Sequence, residues 1–423
     1  MSSSASTALL RTIPIHEVRA SAPLPIDEET RRGAREIVDR VRGGGEAALR
    51  KCVTQYDGRD PTAPLIYDKE ALAEALDSLE PATRALLERT AARIRTFAEA
   101  QAKSLAPLDV AVPGGRAGHD VVPVASAGCY APGGRYPLPS SVLMTAVTAR
   151  AAGVARVVVA SPNPEPIILG AAAIAGADMV LAAGGAHGIG ALASGVQGHF
   201  EGVDLIVGPG NRWVTAAKEL VAGAVGIDLP AGPSELCVLA DDDADPDLVA
   251  ADLLAQAEHD PDARPTLIAL SSAFVERVNG ELASRLSALD TRAVAAEALS
   301  QGFAAVAPDL DAAIRAVDAL APEHLQICAA DPAGLKNRIA HFGGAFLGEV
   351  SAEVFGDYGV GPNHVLPTGG AARYSGGLSV FTFLRVRTWL AMTHPEAVLA
   401  DCADLAGMER LSGHRAAAEA RAR

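Results

Sequence analysis

The chain has 423 residues, of which 49% are apolar and 21% charged, and its formal net charge is −15. That length allows two or three domains with sizeable cores, and the composition excludes a disordered or fibrous protein. The acidic balance argues against a surface for nucleic acid or anionic membrane, and no apolar run reaches the roughly 18 residues of a membrane-spanning helix.

Hydrophobic periodicity divides the chain into a helical part followed by an alternating part. Residues 28–105 are rich in Ala, Leu, Glu and Arg at helical spacing. From residue 120, short β-branched runs alternate with Ala-rich helical stretches. The predicted strands are 156–160, 179–182, 205–207, 236–239, 266–270, 304–306 and 345–347. The predicted helices between them include 141–152, 166–175, 213–222 and 246–258.

Strands that alternate with helices indicate right-handed crossovers and a largely parallel sheet covered on both faces. The predicted strands are too many for one compact unit, so we expect an α/β fold with two related Rossmann-like domains. We assign residues 23–125 with 236–320 to a first, discontinuous domain, and residues 126–235 with 321–370 to a second. Residues 1–22 and 371–423 are expected to be helical extensions, because the helical pattern returns at the end of the chain.

The cysteines and the amino terminus indicate a cytoplasmic protein. The five cysteines are odd in number and lack C-x-x-C spacing, which predicts reduced and mostly buried thiols. Residues 1–14 contain only a short apolar core and no context for signal cleavage. We therefore expect a cytoplasmic location.

Three glycine-rich segments could contact a nucleotide. Gly188–Ala193 resembles the G-x-G-x-x-G/A dinucleotide fingerprint, but Asp204 precedes the next strand instead of ending it. The alternative is a helix start that needs small residues for close packing. Pro132-Gly133-Gly134 and Gly208-Pro209-Gly210-Asn211 each follow an apolar run and precede a helix. Such turns let backbone N–H groups approach a phosphate, although they are also ordinary tight turns.

Three further segments carry side chains suited to proton transfer or metal binding. Gln256 and His259 are three residues apart at the end of a predicted helix, which puts both on one face. Glu323-His324 sets a carboxylate beside an imidazole, a pair that can move protons. The loop from Asp357 to His364 adds further oxygen and nitrogen donors. Such a donor set can hold zinc, so these segments together suggest an enzyme with a bound metal.

Six motifs in register resemble the histidinol dehydrogenase family from about residue 30 to the end of the chain. They are Tyr130-Ala-Pro-Gly-Gly, Gly208-Pro-Gly-Asn, Ala231-Gly-Pro-Ser-Glu, Gln256-Ala-Glu-His, Ala321-Pro-Glu-His-Leu, and Gly356-Asp-Tyr with Asn363-His-Val-Leu-Pro-Thr. The resemblance implies oxidation of an alcohol to an aldehyde and then to a carboxylate, with two NAD molecules used in succession. It also implies one zinc ion per subunit, which anchors the substrate, and an intertwined homodimer with shared active sites.

The resemblance assigns roles to matching residues. Glu323 would activate water and His324 would act as the acid and base. The implied zinc ligands are Gln256, His259, Asp357 and, from the other subunit, His414. These ligands and His324 would also line the substrate site, together with Ser234, His364 and Glu409. The implied NAD contacts are Tyr130, Asn211 and, where the family usually has Gln, His187.

Several positions depart from the family pattern. Arg264-Pro265 replaces the usual Ala-Gln or Ser-Gln, and Arg135-Tyr136-Pro137, Arg212-Trp213 and residues 372–377 look like divergent paralogues, including the branch that oxidises sulfopropanediol. An arginine near the pocket could pair with an acidic group of a substrate. The first hypothesis is the four-electron oxidation of L-histidinol to L-histidine. The alternatives are the same chemistry on another amino alcohol or an anionic diol, or a non-catalytic paralogue that binds zinc and nucleotide.

Overall fold

The computed structural model describes residues 9–19, 26–133, 137–229 and 232–422. Parts of the sequence predictions at residues 1–8 and 20–25, at Gly134 to Tyr136, and at Ala231 lie outside these residues. The elements up to residue 229 are β1 (Arg11–Ile13), α1 (Glu28–Tyr56), β2 (Ile66–Tyr67), α2 (Lys69–Asp77), α3 (Pro81–Ala102), β3 (Leu108–Val112), β4 (Gly115–Pro123), β5 (Ser126–Tyr130), α4 (Pro139–Ala151), β6 (Arg156–Ala160), α5 (Pro166–Ala175), β7 (Met179–Leu181), α6 (Gly185–Ser194), β8 (Gly195–Val196), β9 (Phe200–Glu201), β10 (Leu205–Val207), α7 (Arg212–Val221) and β11 (Gly226–Ile227).

The elements from residue 232 onward alternate until β16 and then become irregular. They are β12 (Glu235–Ala240), α8 (Pro246–Ala257), β13 (Arg264–Ala269), α9 (Ser272–Ala288), α10 (Arg292–Gln301), β14 (Phe303–Val306), α11 (Leu310–Leu320), β15 (His324–Cys328), α12 (Pro332–Arg338), β16 (Gly344–Leu347), α13 (Val354–Asp357), β17 (Leu384–Met392), α14 (Leu399–Met408) and α15 (Ser412–Glu419). Among the helices of the described residues, none is long and apolar enough to cross a membrane.

Two six-stranded sheets form the framework. Sheet I has the order β11-β10-β5-β6-β7-β2, and its strands are parallel except for β2. Helices α1, α6 and α7 pack on one face of sheet I, while α3, α4 and α5 pack on the other. Sheet II has the order β1-β14-β13-β12-β15-β16 and is fully parallel. The predicted α/β fold with two parallel-sheet units is therefore confirmed.

The strand pairing differs from the domain division that the sequence suggested. Residues 321–370 were grouped with 126–235, but β15 and β16 belong to sheet II, where Leu236 of β12 is paired with His324 of β15. Residues 23–125 were grouped with 236–320, but α1 and α3 pack on sheet I. After β1, which belongs to sheet II, the chain forms sheet I and then returns to sheet II with β12, and β13 to β16 add to the same sheet as β12.

The region after residue 370 is not wholly helical, so the prediction of a helical extension over residues 371–423 is corrected. Strand β17 pairs antiparallel with β4, and β4 pairs with β3, forming a small third sheet. Apolar residues alternate along β17 at Leu384, Val386, Leu390 and Met392, the period of a strand. Helices α14 and α15 follow and pack against each other.

Candidate active site

His324 is the first residue of β15, at the amino end of sheet II. Helix α11 ends at Leu320, and Pro322 prevents the helix from continuing. The Nδ1 atom of His324 lies 2.8 Å from the backbone oxygen of Glu235, the first residue of β12. Because a carbonyl oxygen only accepts, Nδ1 must carry the proton and Nε2 keeps the lone pair. Burial, followed by the charge of His364, lowers the pKa of His324 well below its usual value, so the imidazole is neutral and can accept a proton at Nε2.

Glu323 lies beside this imidazole and is also buried. Its Oε2 accepts a hydrogen bond of 2.9 Å from the backbone N–H of Glu235 and lies 3.6 Å from Nδ1 of His324. Burial raises the pKa of Glu323 well above its usual value, and the nearby carboxylates of Glu235, Glu353 and Asp357 raise it further. A carboxylate with such a high proton affinity is a stronger base than one in water.

A chain of histidines and carboxylates continues from His324. The rings of His324 and His364 are stacked, with centroids 4.4 Å apart. Nε2 of His364 lies 2.9 Å from Oε1 of Glu353 and 3.1 Å from Oδ1 of Asp357. On the other side of Asp357, its Oδ2 lies 3.3 Å from Nε2 of His259. Five side chains from four segments of the chain thus converge on one place.

The charge states within this chain follow from its contacts. The hydrogen bond to Asp357 raises the pKa of His259, against the opposing effect of burial. Burial alone would raise the pKa of Asp357, but the hydrogen bond with His259 and the charge of His364 lower it. Asp357 is therefore an anion at neutral pH, as a metal ligand must be.

The donor set fits a zinc ion. Zinc bonds of about 2.0–2.2 Å in a tetrahedral site put neighbouring ligand atoms roughly 3.4 Å apart, and the His259 to Asp357 distance is 3.3 Å. Gln256, in the last turn of α8, is fully buried, yet neither its Oε1 nor its Nε2 has a hydrogen-bond partner among the described residues. Buried polar atoms are rarely left unpaired, so a metal or ligand contact for Gln256 fits this position. His324, Glu353 and His364 also have donor atoms within 4.8 Å of one another.

Glu353 is a site residue that the sequence analysis missed. It is the residue before α13 and is almost fully buried, and its Oε1 also lies 3.7 Å from Nε2 of His324. Its spacing of four residues from Asp357 puts both carboxylates on one side of the short helix. This spacing could have identified Glu353 from the sequence. The sequence predicts a loop around Asp357, however, and helical spacing is not expected in a loop.

Of the three remaining predicted substrate or zinc residues, one lies beside this cluster and two lie outside it in the single chain. Ser234 precedes Glu235 and is therefore next to the site, where its backbone oxygen accepts from the N–H of Arg264 at 3.0 Å. Glu409 follows α14 and His414 lies in α15, and both are exposed. Within the described part of the chain, neither forms a hydrogen bond or ion pair with the cluster.

Two of the predicted nucleotide contacts lie at the carboxyl ends of β5 and β10, which are neighbouring strands of sheet I. Tyr130 ends β5, and its hydroxyl oxygen accepts from the N–H of Gly185 at 3.0 Å. Burial raises the pKa of Tyr130 to about 12, so the hydroxyl keeps its proton and can donate. Asn211 follows β10 and begins α7, where its Oδ1 accepts from the N–H groups of Trp213 and Val214. The strand order reverses between β5 and β10, which is where doubly wound sheets bind ligands.

The third predicted contact, His187, is buried inside α6. Its Nε2 lies 2.8 Å from Oδ2 of Asp57, which also accepts from the N–H of Gly184 at 3.0 Å. The nearby Gly188–Ala193 segment is not a fingerprint turn, because it lies within the helix and Gly188 N–H bonds to Gly184 at 2.7 Å. A Cβ atom on Gly190 would lie 3.3 Å from Cα of Val38 in α1. The alternative explanation, small residues for close packing, is the correct one.

Comparison with known proteins agrees with this geometry. The sequence profile of the histidinol dehydrogenase family matches residues 25–422. Histidinol dehydrogenase of Ruegeria pomeroyi is 44% identical over 395 residues, covering 91% of this chain and 90% of that protein. Histidinol dehydrogenase of Thermus thermophilus is 44% identical over 393 residues, covering 92% and 93%. The crystal structure of histidinol dehydrogenase from Elizabethkingia anophelis matches with a TM-score of 0.92 at 29% identity, covering 98% of both chains. The chain therefore belongs to the histidinol dehydrogenase family of oxidoreductases, which act on a CH–OH group.

Proposed function

We propose that the protein oxidises L-histidinol to L-histidine through histidinal, using one zinc ion per subunit and two molecules of NAD. The observation that carries this proposal is the buried Glu323-His324 pair beside the His259, Asp357 and Gln256 donors. Family membership over residues 25–422 supports the same conclusion. The reaction fits a place in histidine biosynthesis.

The proposed zinc ligands are Gln256, His259 and Asp357, with a fourth, His414, from a second copy of the chain. A bound zinc would supply a binding point for the nitrogen donors of an amino alcohol that also carries an imidazole. The lowered pKa of Asp357 supports this, since a ligand must be deprotonated. Glu353 holds His364 through the 2.9 Å contact and so keeps that ring stacked on His324.

His324 is the proposed base for both hydride transfers. In the first oxidation the alcohol loses its hydroxyl proton to Nε2, and the carbon loses a hydride to NAD, which leaves an aldehyde and NADH. The contact of Nδ1 with Glu235 fixes the tautomer that can accept at Nε2. The lowered pKa of His324 keeps this nitrogen unprotonated.

Glu323 is the proposed base for hydration of the aldehyde. Its carboxylate takes a proton from water while the water oxygen bonds to the carbonyl carbon. The hydrate then gives a hydride to a second NAD and a hydroxyl proton to His324, which yields the carboxylate. The raised pKa of Glu323 strengthens it as a base toward water. Because Glu323 and His324 are adjacent, both steps can occur on one bound substrate.

The proposed NAD site is the crevice outside β5 and β10. Tyr130 can donate its hydroxyl proton there, and Asn211 starts α7, whose amino end favours the negative pyrophosphate. His187 supports the crevice indirectly in this proposal, since its Nε2 is bonded to Asp57.

A homodimer with shared sites is the proposed assembly. Large apolar side chains within the predicted carboxyl-terminal extension are exposed, including Leu390 at 65% and Met408 at 79% relative exposure. A second copy that covers them would bring Glu409 and His414 to the zinc cluster. The test mixes inactive His414→Ala and His259→Ala proteins under conditions of subunit exchange. Shared sites predict recovered turnover in the mixture, whereas sites built from one chain predict none.

A second candidate is the same chemistry on an anionic diol. It is favoured by Arg264, the first residue of β13, whose backbone N–H donates to the backbone oxygen of Ser234, a proposed substrate residue. The discriminating assay measures NADH formation from L-histidinol, simpler amino alcohols and sulfonated diols, each with and without chelator. L-Histidinol as the preferred substrate, with activity lost to chelator, supports the first proposal. Preference for a sulfonated diol would replace it with the second.

A further inference from the structure

The segment that joins Asp357 to His364 is attached to sheet I, although it follows β16 of sheet II. We call residues 358–365 the bridging loop. At one end, Nε of Arg93 in α3 donates to the backbone oxygen of Gly359 at 2.9 Å. At the other end, Nδ2 of Asn363 donates to the backbone oxygen of Met144 at 2.7 Å and approaches Oγ1 of Thr148 at 3.0 Å. Both contacts reach helices that cover sheet I.

Both the amide nitrogen and the amide oxygen of Asn363 form hydrogen bonds. Its amide nitrogen contacts α4 twice, and its Oδ1 accepts from the N–H of Val365 at 3.0 Å. The α4 positions from Val142 to Ala149 are buried, so the anchor is fixed to a rigid part of the core. Asn363 therefore restrains the backbone on both sides of His364.

The other end of the loop is equally restrained. Gly359 has φ of 71°, a value that favours glycine. A Cβ atom there would lie 2.6 Å from Cγ2 of Thr90 in α3, so the loop is tightly packed on that helix. His364 then reaches Asp357 and Glu353 from a backbone that α3 and α4 hold in position.

We propose that Asn363 is a positioning residue, which sets His364 and Asp357 in the geometry needed for metal binding by anchoring the bridging loop to α4. The expected effect on zinc affinity rests on the proposed zinc site, but the anchoring of the loop does not depend on zinc. It also means that the cluster of donor side chains at sheet II is held in place by α4, the helix that follows β5 of sheet I. Asn363 acts only through His364 and Asp357 and need not touch substrate.

Hydrogen exchange in the metal-free protein tests the anchoring directly. Asn363→Ala is compared with Asn279→Ala, a matched control, because Asn279 also bridges two segments through its amide, contacting Leu10 and Val275 far from the site. We expect amide exchange in residues 358–365 to rise at least about tenfold for Asn363→Ala and to stay unchanged for Asn279→Ala. Unchanged exchange in the loop would overturn the proposal.

Zinc affinity, measured by competition with a chromogenic chelator, tests the consequence. Residues that orient metal ligands typically change affinity by about 10–100-fold when removed, so Asn363→Ala should bind zinc at least tenfold more weakly and Asn279→Ala like the parent. Thr148→Val should lower affinity less, and Asn363→Ala should have a smaller effect in that background. Affinity within twofold of the parent would overturn the proposal.

Two safeguards keep the experiment decisive. If Asn363→Ala does not fold, Thr148→Val removes one of the two α4 acceptors of the Asn363 amide and is measured in the same way. It should also raise exchange in the loop, and a loop unaffected by Thr148→Val would refute the anchoring. If the parent protein binds no zinc, the proposed function fails at its metal site, while the exchange measurement still decides whether Asn363 anchors the loop.

Discussion

Nδ1 of His324 and the backbone oxygen of Glu235 are 2.8 Å apart, and this contact joins the first residues of two neighbouring parallel strands. The same Glu235 backbone donates its N–H to Oε2 of Glu323. The backbone N–H and C=O of one residue, Glu235, thus orient both members of the Glu-His pair. The proposed division of roles between them rests on this arrangement, because Oε1 of Glu323 and Nε2 of His324 take no part in these two contacts.

Substitution of the pair should affect the two oxidations differently. Glu323→Gln keeps an oxygen that can accept from the Glu235 N–H, but it removes the base for water, so oxidation of supplied histidinal should fall by about 10²–10⁴-fold and oxidation of histidinol to histidinal much less. His324→Asn should impair both steps by a comparable factor. Single-turnover rates with alcohol and with aldehyde measure this. Equal losses in both steps for Glu323→Gln would refute the division of roles.

The same two groups predict different pH profiles for the two steps. His324 has a lowered pKa, so its neutral form persists as pH falls below the usual histidine range and is lost only at the lower, shifted pKa. Glu323 has a raised pKa, so its ionised form is lost at a higher pH than for an ordinary carboxylate. Aldehyde oxidation should therefore decline first as pH falls. Rate profiles for each substrate test this, and an alcohol step that fails first would contradict it.

Zinc should stabilise the folded protein through the proposed ligands. A ligand that binds only the native state adds about 2.7 kcal/mol at 100 times its dissociation constant, so zinc should raise the melting temperature of the parent. His259→Asn and Asp357→Asn should lose most of this shift. Calorimetry with and without zinc provides the measurement, and His119→Asn, which changes a half-buried histidine at the third sheet, is the control. A full shift in His259→Asn would exclude it as a ligand.

The buried ion pair of Lys218 in α7 and Asp228 after β11 predicts a stability effect in the sheet I unit. Nζ of Lys218 also donates to the backbone oxygens of Gly208 and Leu229, at 3.1 and 2.9 Å. Lys218→Met leaves a buried, unpaired Asp228 and should lower the free energy of unfolding by about 3–5 kcal/mol. Asp228→Asn added to Lys218→Met should restore part of that loss. Urea unfolding measures both, and additive losses in the double variant would contradict the pairing.

The sequence predicted much of the fold because periodicity reports local burial. The segments 156–160, 166–175 and 205–207 have the bounds of β6, α5 and β10. The fully buried strands β5 and β15 were missed, since Ser126–Tyr130 contains glycine and cysteine and His324–Cys328 contains polar site residues. Strand order was also beyond reach, because β15 inserts beside β12 through contacts far apart in sequence.

The site residues were predicted from residue types, their spacing and the family resemblance. His259, Asp357, His364 and the Glu323-His324 pair converge as the resemblance implied. Glu353 was missed because its contacts with His364 and His324 depend on the folded loop. Glu409 and His414 stay exposed in one chain, so their predicted role depends on a second copy that no local pattern can supply.

The most direct test of the proposed function is the yield of NADH from a limiting amount of L-histidinol with the zinc-loaded enzyme. Two oxidations on one substrate predict two NADH for each L-histidinol consumed, with L-histidine as the product and no histidinal accumulating. Mixing the parent with a chelator before the assay should abolish the yield. One NADH with histidinal released would contradict the second oxidation, and no NADH from L-histidinol would contradict the proposed substrate.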